Sequence, residues 1–304
     1  MKEFNVIENR RSYTLEALKQ RYRLNGRTLD NIRNPKLHIS SSEYGFVEIE
    51  WGKTKLAVRV SAEVSKPYED RPFEGLFSIN SEMSSMACMS FENGKSSDEE
   101  VLVSRLIEKA VRRSNALDLE SLCIIAGEKV WHIRADISFL SHDGGLIDAS
   151  CLGVMTALQN FRKPDVSIHG TDVIIHDIET HQPTPLSILH VPLCITYSFF
   201  NPDGSVENIK GISSKEIAVL DADKEEESVR DGSLVLTMNM NRELIQISKN
   251  GGLPIDGSTL VQLSKNSLDV IENLTATMKN SLQENHDSRY HSERLDLLKV
   301  GANR

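Results

Sequence analysis

The chain is poor in cysteine and short of basic charge, and both shortages exclude functions. Its four cysteines in 304 residues, Cys88, Cys123, Cys151 and Cys194, are widely spaced and form no Cys-x-x-Cys pair. A disulfide framework or a zinc ribbon is therefore not expected. Three of the four fall in predicted strands or helices, where a thiol acts as a small core group, and a reducing compartment, cytosol or nucleus, is expected. Lys plus Arg number 35 against 44 Asp plus Glu, a formal net charge of −9. A global basic field for nucleic acid is excluded, while local basic patches remain open. Residues 1–10 hold no apolar run after the first charge, so no signal peptide is expected. The longest apolar stretch, Ile188 to Phe200, is broken by His190 and Pro192 and is too short to span a bilayer, so no membrane partner is expected.

Motifs are missing as well. There is no Gly-x-Ser-x-Gly elbow, no Gly-x-x-x-x-Gly-Lys loop and no Gly-x-Gly-x-x-Gly fingerprint. Hydrolase, NTPase and dinucleotide readings lose their main supports. His176 with His181, and His286 with His291, match no zinc spacing, and no metal or other cofactor is expected.

What is present is a mixed pattern of strands and helices. Tyr13 to Arg21 has helical character, ended by Asn25-Gly26-Arg27. From Phe46 the period changes to two: Val47, Ile49 and Trp51, a turn at Gly52-Lys53, then Leu56, Val58 and Val60 predict a β-hairpin. Pro67 and Pro72 make Lys66 to Gly75 a loop. Ser96-Ser97-Asp98, with Glu99 and Glu100, introduces a helix from Asp98 to Ser114. Strands follow at Leu122 to Ala126 and Val130 to Leu140, then a helix from Leu146 to Phe161. The second half repeats this grammar, with strands at Val191 to Phe199, Ile217 to Leu220, Ser233 to Asn239 and Leu244 to Ser248, and a helix from Ser258 to Leu282. The pattern favours an α+β fold of two packed βα lobes over a doubly wound sheet. Residues 1–24 read as an N-terminal helical arm, 25–185 and 186–283 as the two lobes, and 284–304 as a polar tail with some helical character.

Three constellations carry possible chemistry. His142-Asp143-Gly144-Gly145 joins a strand to a helix, the backbone of an anion site, because glycines permit the turn and helix N-termini attract phosphate. Yet Leu146, Ile147 and Asp148 stand in the first helical turn, which argues against phosphate there. On the helix from Asp98, Arg105, Lys109 and Arg112 share a stripe with Arg113 at its edge, opposite Val103, Leu106, Ile107, Ala110 and Val111. That stripe reads either as a ridge tracking a phosphate backbone or as the solvated face of an amphipathic helix. In the loop, Lys66 and Arg71 are placed to touch phosphates and Tyr68 or Phe73 to stack on a base; the alternative is a structural loop whose aromatics plug its own core. Asp221-Ala222-Asp223-Lys224-Glu225-Glu226-Glu227 is either a pair of carboxylates able to hold Mg²⁺ or a solvated acidic helix start.

Ser104-Arg105-Leu106-Ile107-Glu108-Lys109-Ala110-Val111-Arg112-Arg113-Ser114, Arg134-Ala135-Asp136 through Asp143-Gly144-Gly145, and Glu226-Glu227 through Asp231-Gly232 resemble the RNase PH family. The resemblance runs from about Arg23 to the last long helix. The segments Pro67 to Phe77 and Gly145 to Ser150 look like the inactive-type ring subunits of the RNA exosome of fungi and animals. The resemblance implies an RNase PH-like fold in a hexameric ring with active-type RNase PH-like paralogues. It further implies OB- and KH-domain cap proteins, single-stranded RNA threaded through the channel, and an RNase II-type hydrolytic nuclease receiving it, in nucleus, nucleolus and cytoplasm.

Active members cleave RNA from its 3′ end with inorganic phosphate and carry Thr-Arg-Thr after Gly-Gly. Here Leu146-Ile147-Asp148 replaces charge-assisted donors with a like charge. The family's later acid falls at Ser233, and an alcohol is no acid near neutral pH. The resemblance therefore implies a non-catalytic, RNA-guiding subunit with no catalytic residues of its own; the alternative is a phosphorolytic exoribonuclease, alone or in a composite site. By the same resemblance Lys66 and Arg71 lie near the channel neck, and Arg105, Lys109, Arg112 and Arg113 along a degenerate groove, where they touch RNA or neighbouring subunits.

Overall fold

The alternation from Phe46 to Val60 builds a hairpin because one face of it has to leave water. The computed structural model describes residues 8–89, 91, 94–169, 172–177, 181–201 and 216–302; residues 1–7 of the expected N-terminal arm lie outside them. It begins with helix α1 (Glu8–Lys19) and strands β1 (Pro35–Ile39), β2 (Phe46–Trp51) and β3 (Thr54–Ser65). Val47 pairs with Val58 and Ile49 with Leu56, and all four are buried together with Trp51. Gly52, at φ +64°, makes the two-residue turn.

Strand β4 (Leu76–Met83), helix α2 (Asp98–Arg112), β5 (Cys123–Ile125) and β6 (Lys129–Ser141) follow. β4 runs parallel to β6, and α2 is the crossover that a parallel pair needs. The sequence reading has no strand at β4. Phe77, Ile79 and Met83 are buried, but Ser81 interrupts their alternation, and it is Ser81 that ties the strand to α2 through Glu100 O at 2.8 Å. The sheet order is β1-β2-β3-β6-β4, with β5 beside β6. Helix α2 starts where its cap dictates: Glu100 N donates to Ser97 Oγ at 3.2 Å and Ser97 N to Glu100 Oε2 at 3.1 Å.

Helix α3 (Leu146–Asn160) is followed by the short strands β7 (Arg162–Lys163), β8 (Val166–His169), β9 (Asp172–Ile175) and β10 (Thr184–Pro185). Then come β11 (Leu193–Phe200), β12 (Ile217–Leu220), the short helix α4 (Lys224–Glu227), β13 (Gly232–Met238), β14 (Leu244–Gly251) and α5 (Gly257–Ala302). The second sheet is antiparallel in the order β12-β11-β13-β14. α3 packs against β2 and β3 on one side and β11 on the other, which explains why it is apolar nearly all round. The result is an α+β fold of two βα lobes sharing one core. α1 packs Leu18 into a smaller cluster with Phe200, Val219 and Val229 of the second lobe.

Helix α5 does not stop at Leu282. The polar segment expected to be a tail continues the helix through Ala302, because its near part finds partners on the first lobe. Asn285 Nδ2 donates to Ile39 O at 3.0 Å, Arg289 Nη2 donates to Glu43 O at 2.9 Å, and the guanidinium lies 4.0 Å from the Tyr44 ring centroid. Arg289→Ala should cost about 1 kcal/mol. Hydrogen exchange should then quicken over residues 283–291 while Gly257 to Leu282 keeps its protection.

Candidate functional site at the lobe junction

The Gly-Gly turn leaves β6 at one end of the first sheet and meets the second lobe there. Gly144 and Gly145 have φ of +78° and +67°. A Cβ on Gly144 would stand 2.4 Å from Ala222 O, and one on Gly145 2.7 Å from Arg33 Nη2 and 3.0 Å from Asp221 Oδ1. Both glycines are thus required by the approach of the segment 221–224 of the second lobe, as much as by the turn. Thr54 Oγ1 pins the turn to the β2–β3 hairpin, donating to Gly144 O at 2.8 Å and accepting from Asp143 N at 3.0 Å. His142 is pushed down to about 4, by burial first and then by Lys224 and Arg33.

One donor at the start of α3, the N-cap N–H, already faces an anion of the chain itself. Gly145 N donates to Glu227 Oε1 at 3.2 Å. Burial pushes Glu227 up to about 7, against Arg230 and this backbone bond. Leu146 is buried and Ile147 packs on the core. Asp148, buried in the first turn, points to β11, where Thr196 N donates to Oδ2 at 3.0 Å and Thr196 Oγ1 to Oδ1 at 2.6 Å. Burial raises its carboxyl to about 8, opposed by the Thr196 bonds. Asp148 is a strut between the lobes.

The acidic run is neither a solvated helix start nor an open pair of carboxylates. Asp221, at φ +50°, has a fully buried side chain that accepts from Arg27 Nη1 at 2.8 Å, Arg33 N at 2.8 Å, Arg33 Nη2 at 2.6 Å and Trp51 Nε1 at 3.1 Å. Burial alone would raise this carboxyl; the bonds and charge of Arg33, with Arg27, hold it below the usual range. Asp223 pairs with Arg27 and accepts from Asn25 Nδ2 at 2.5 Å. Glu226 takes a buried two-point bond from Arg23, at 3.0 and 2.6 Å. Arg33 Nη1 also donates to Asp143 O at 2.9 Å, so one guanidinium grips both lobes. Among the described residues no three His, Cys, Asp or Glu side chains are grouped to hold a metal ion. Sequence reading missed Arg23, Arg27 and Arg33 because their partners lie about two hundred positions away.

Beside this junction, Leu102, Ile147, Arg230, Ser233 and Asn250 line a cleft of about 340 Å³. Leu102 continues into the basic stripe of α2, since positions 105, 109 and 113 recur on its ridge. Arg105 and Lys109 are exposed, as is Arg113, while Arg112 is half-buried. Arg105 and Arg112 share Glu108, at 3.1 and 3.6 Å. Lys66 and Arg71 are exposed in the loop at the opposite end of β6, a strand of thirteen residues, which at about 3.3 Å per residue puts them on the order of 40 Å from the Gly-Gly turn. Arg71 pairs with Glu74 at 2.9 Å. α2 runs between these two ends: Ser81 meets Glu100 at the first, and Gly75 N donates to Leu119 O, just past the helix, at 2.9 Å near the second. The loop aromatics Tyr68 and Phe73 are exposed rather than plugged into a core.

The site is thus a cleft beside a Gly-Gly helix start, between two βα lobes. Residues 31–164 match the model of the 3′ exoribonuclease family, domain 1, and residues 190–270 that of domain 2; the chain belongs to this RNase PH family. It is 48% identical over 289 residues to exosome complex component RRP45 of Saccharomyces cerevisiae, covering 95% of this chain and 94% of that one. It is 35% identical over 303 residues to RRP45 of Homo sapiens, covering all of this chain and 66% of the longer human protein. Among solved structures, an Archaeoglobus fulgidus exosome chain, from a structure with RNA bound to the active site, superposes with a TM-score of 0.73 at 26% identity, covering 88% of this chain and 97% of that one.

Removing the Asp221 carboxylate should cost about 3–5 kcal/mol, because it breaks two ion pairs of a fully buried carboxylate with the half-buried Arg27 and Arg33; urea unfolding of Asp221→Ala reads this. The pH dependence has two limbs. Asp221, depressed in the fold, contributes fully above its ordinary value of 3.8 and is lost as pH falls through its lower folded value. Asp148, raised from 3.8 to about 8, contributes most below 3.8 and progressively less as pH rises to its folded value. Asp148→Asn keeps an acceptor for the Thr196 amide and should flatten stability between about pH 5 and 8. An unchanged slope in that variant would contradict the assignment.

Proposed function

We propose that this chain is a non-catalytic structural and RNA-guiding subunit of an exosome-type ring. The observation that carries the reading is the state of the α3 N-terminus, where Gly145 N already holds the Glu227 carboxylate, Leu146 is buried, Ile147 lines the cleft and Asp148 bonds β11. Phosphorolysis needs an incoming phosphate held by donors and an acid for the leaving group. The Gly145 donor is taken, a second, buried acid sits one turn on, and Ser233, the position the resemblance aligns with the family's acid, lines the cleft. The naming of its fungal and animal relatives as exosome components supports membership of that complex, in nucleus and cytoplasm, with the nucleolus as one station.

In this role active-type RNase PH-like paralogues flank the chain in a hexameric ring, OB- and KH-domain proteins cap it, and an RNase II-type nuclease receives the RNA and cuts it, in rRNA maturation and mRNA turnover. Arg105, Lys109, Arg112 and Arg113 guide the single strand along the ridge of α2, with Lys66 and Arg71 at the far end. Their charge is local, so the net charge of −9 is no obstacle.

Two measurements test the proposal. The isolated chain should release no nucleoside diphosphates from single-stranded RNA when inorganic phosphate is supplied; phosphate-dependent release lost on Asp223→Asn would establish the phosphorolytic alternative instead. In the reconstituted ring, Arg105→Glu with Arg112→Glu should lower RNA crosslinking several-fold and reduce the salt slope of binding by about 0.7 for each phosphate of the single strand that is no longer neutralised. Unchanged crosslinking would remove the guiding role and leave the scaffold.

A further inference from the structure

Beside the Gly-Gly turn, the connection between β4 and α2 meets the second lobe through a thiol and an amine. Lys224 Nζ donates to Cys88 Sγ at 2.8 Å. Lys224 opens α4, directly after the segment that presses on Gly144. Both side chains are half-buried, and Met86 and Met89 next to the thiol are 72% and 96% exposed, so small oxidants can reach the pair. Two of the other three thiols differ: Cys151 and Cys194 are buried in α3 and β11, while Cys123 is half-buried in β5; hydrogen bonding with Cys194, followed by burial, pushes the Cys151 thiol up.

An ammonium in contact favours the thiolate, the form that attacks peroxide. We propose that Cys88 and Lys224 form a redox staple, a reversible sulfur–nitrogen bond made with hydrogen peroxide as oxidant that locks the two lobes together at the Gly-Gly junction. In the first step the Cys88 thiolate attacks one peroxide oxygen; the O–O bond breaks, sulfur is oxidised by two electrons to a sulfenic acid, and the departing hydroxide takes a proton from Lys224 to become water. In the second step the neutral Lys224 amine attacks sulfur; the S–N bond forms, the S–O bond breaks, and the hydroxyl leaves as water with a proton from the nitrogen. Thiol, amine and one peroxide yield a sulfenamide and two waters. The residues joined are 136 positions apart, so closing that loop constrains the unfolded chain.

The test is mass spectrometry of the full chain exposed to a modest excess of hydrogen peroxide and digested without reductant. The Cys88 peptide should appear joined to the Lys224 peptide, lighter by two hydrogens than their sum, with a raised thermal midpoint. Dithiothreitol should reverse both changes. Oxidation of Met86 or Met89 adds oxygen and joins nothing, so it cannot mimic this product. In Lys224→Arg, Cys88 should stop at a sulfenic acid that dimedone traps. Cys88 in the unmodified chain found only as sulfinic acid, only in a disulfide between chains, or unoxidised would overturn the proposal.

Discussion

One buried carboxylate, that of Asp221, holds the lobe junction together. Its oxygens face donors from Arg27, Arg33 and the Trp51 indole, while its backbone belongs to the turn after β12 in the other lobe. A buried ion of this kind gains nothing from being alone; its partners must already be in place before burial becomes tolerable. The strands β1 and β2, which bring Arg33 and Trp51 to the site, and the left-handed backbone of Asp221 are therefore parts of one arrangement. Gly144 and Gly145 fit the same demand, since any side chain there would enter the space the acidic segment occupies.

From that junction follows the fate of the anion site. A helix start with free N–H groups is attractive to phosphate, but here the same packing that brings Asp221 inward also brings Glu227 to Gly145 N. The site keeps its backbone and receives its anion from within. Asp148, which in the sequence reads as a misplaced negative charge, is the strut from α3 to Thr196 on β11. Its burial explains its raised carboxyl. The occupied helix start and the cohesion of the lobes thus share the same residues.

The local elements of the fold were legible. Period-two alternation located β2, β3 and β6, and Ser97 with the acids after it located the start of α2. β4 escaped because Ser81 stands where an apolar residue would reveal the strand, and the end of α5 escaped because Asn285 and Arg289 are polar by composition yet anchored by position. At the site, Leu146-Ile147-Asp148 could be read as a departure from a phosphate grip, while the bond of Asp148 to Thr196 and the Glu227 carboxylate at Gly145 could not. Ion pairs between Arg23 and Glu226 or Arg33 and Asp221 leave no short-range pattern, because charge pairing has no period and the partners meet only when the lobes close.

On the proposed reading, the Glu227 carboxylate on Gly145 N keeps phosphate from the start of α3. Titration calorimetry of the chain with inorganic phosphate tests it directly, with Glu227→Gln as the companion. No saturable binding to the native chain in the millimolar range, with weak binding appearing once the Glu227 charge is removed, is the predicted result. Saturable phosphate binding to the native chain, lost when Gly145 is replaced by alanine, would contradict it.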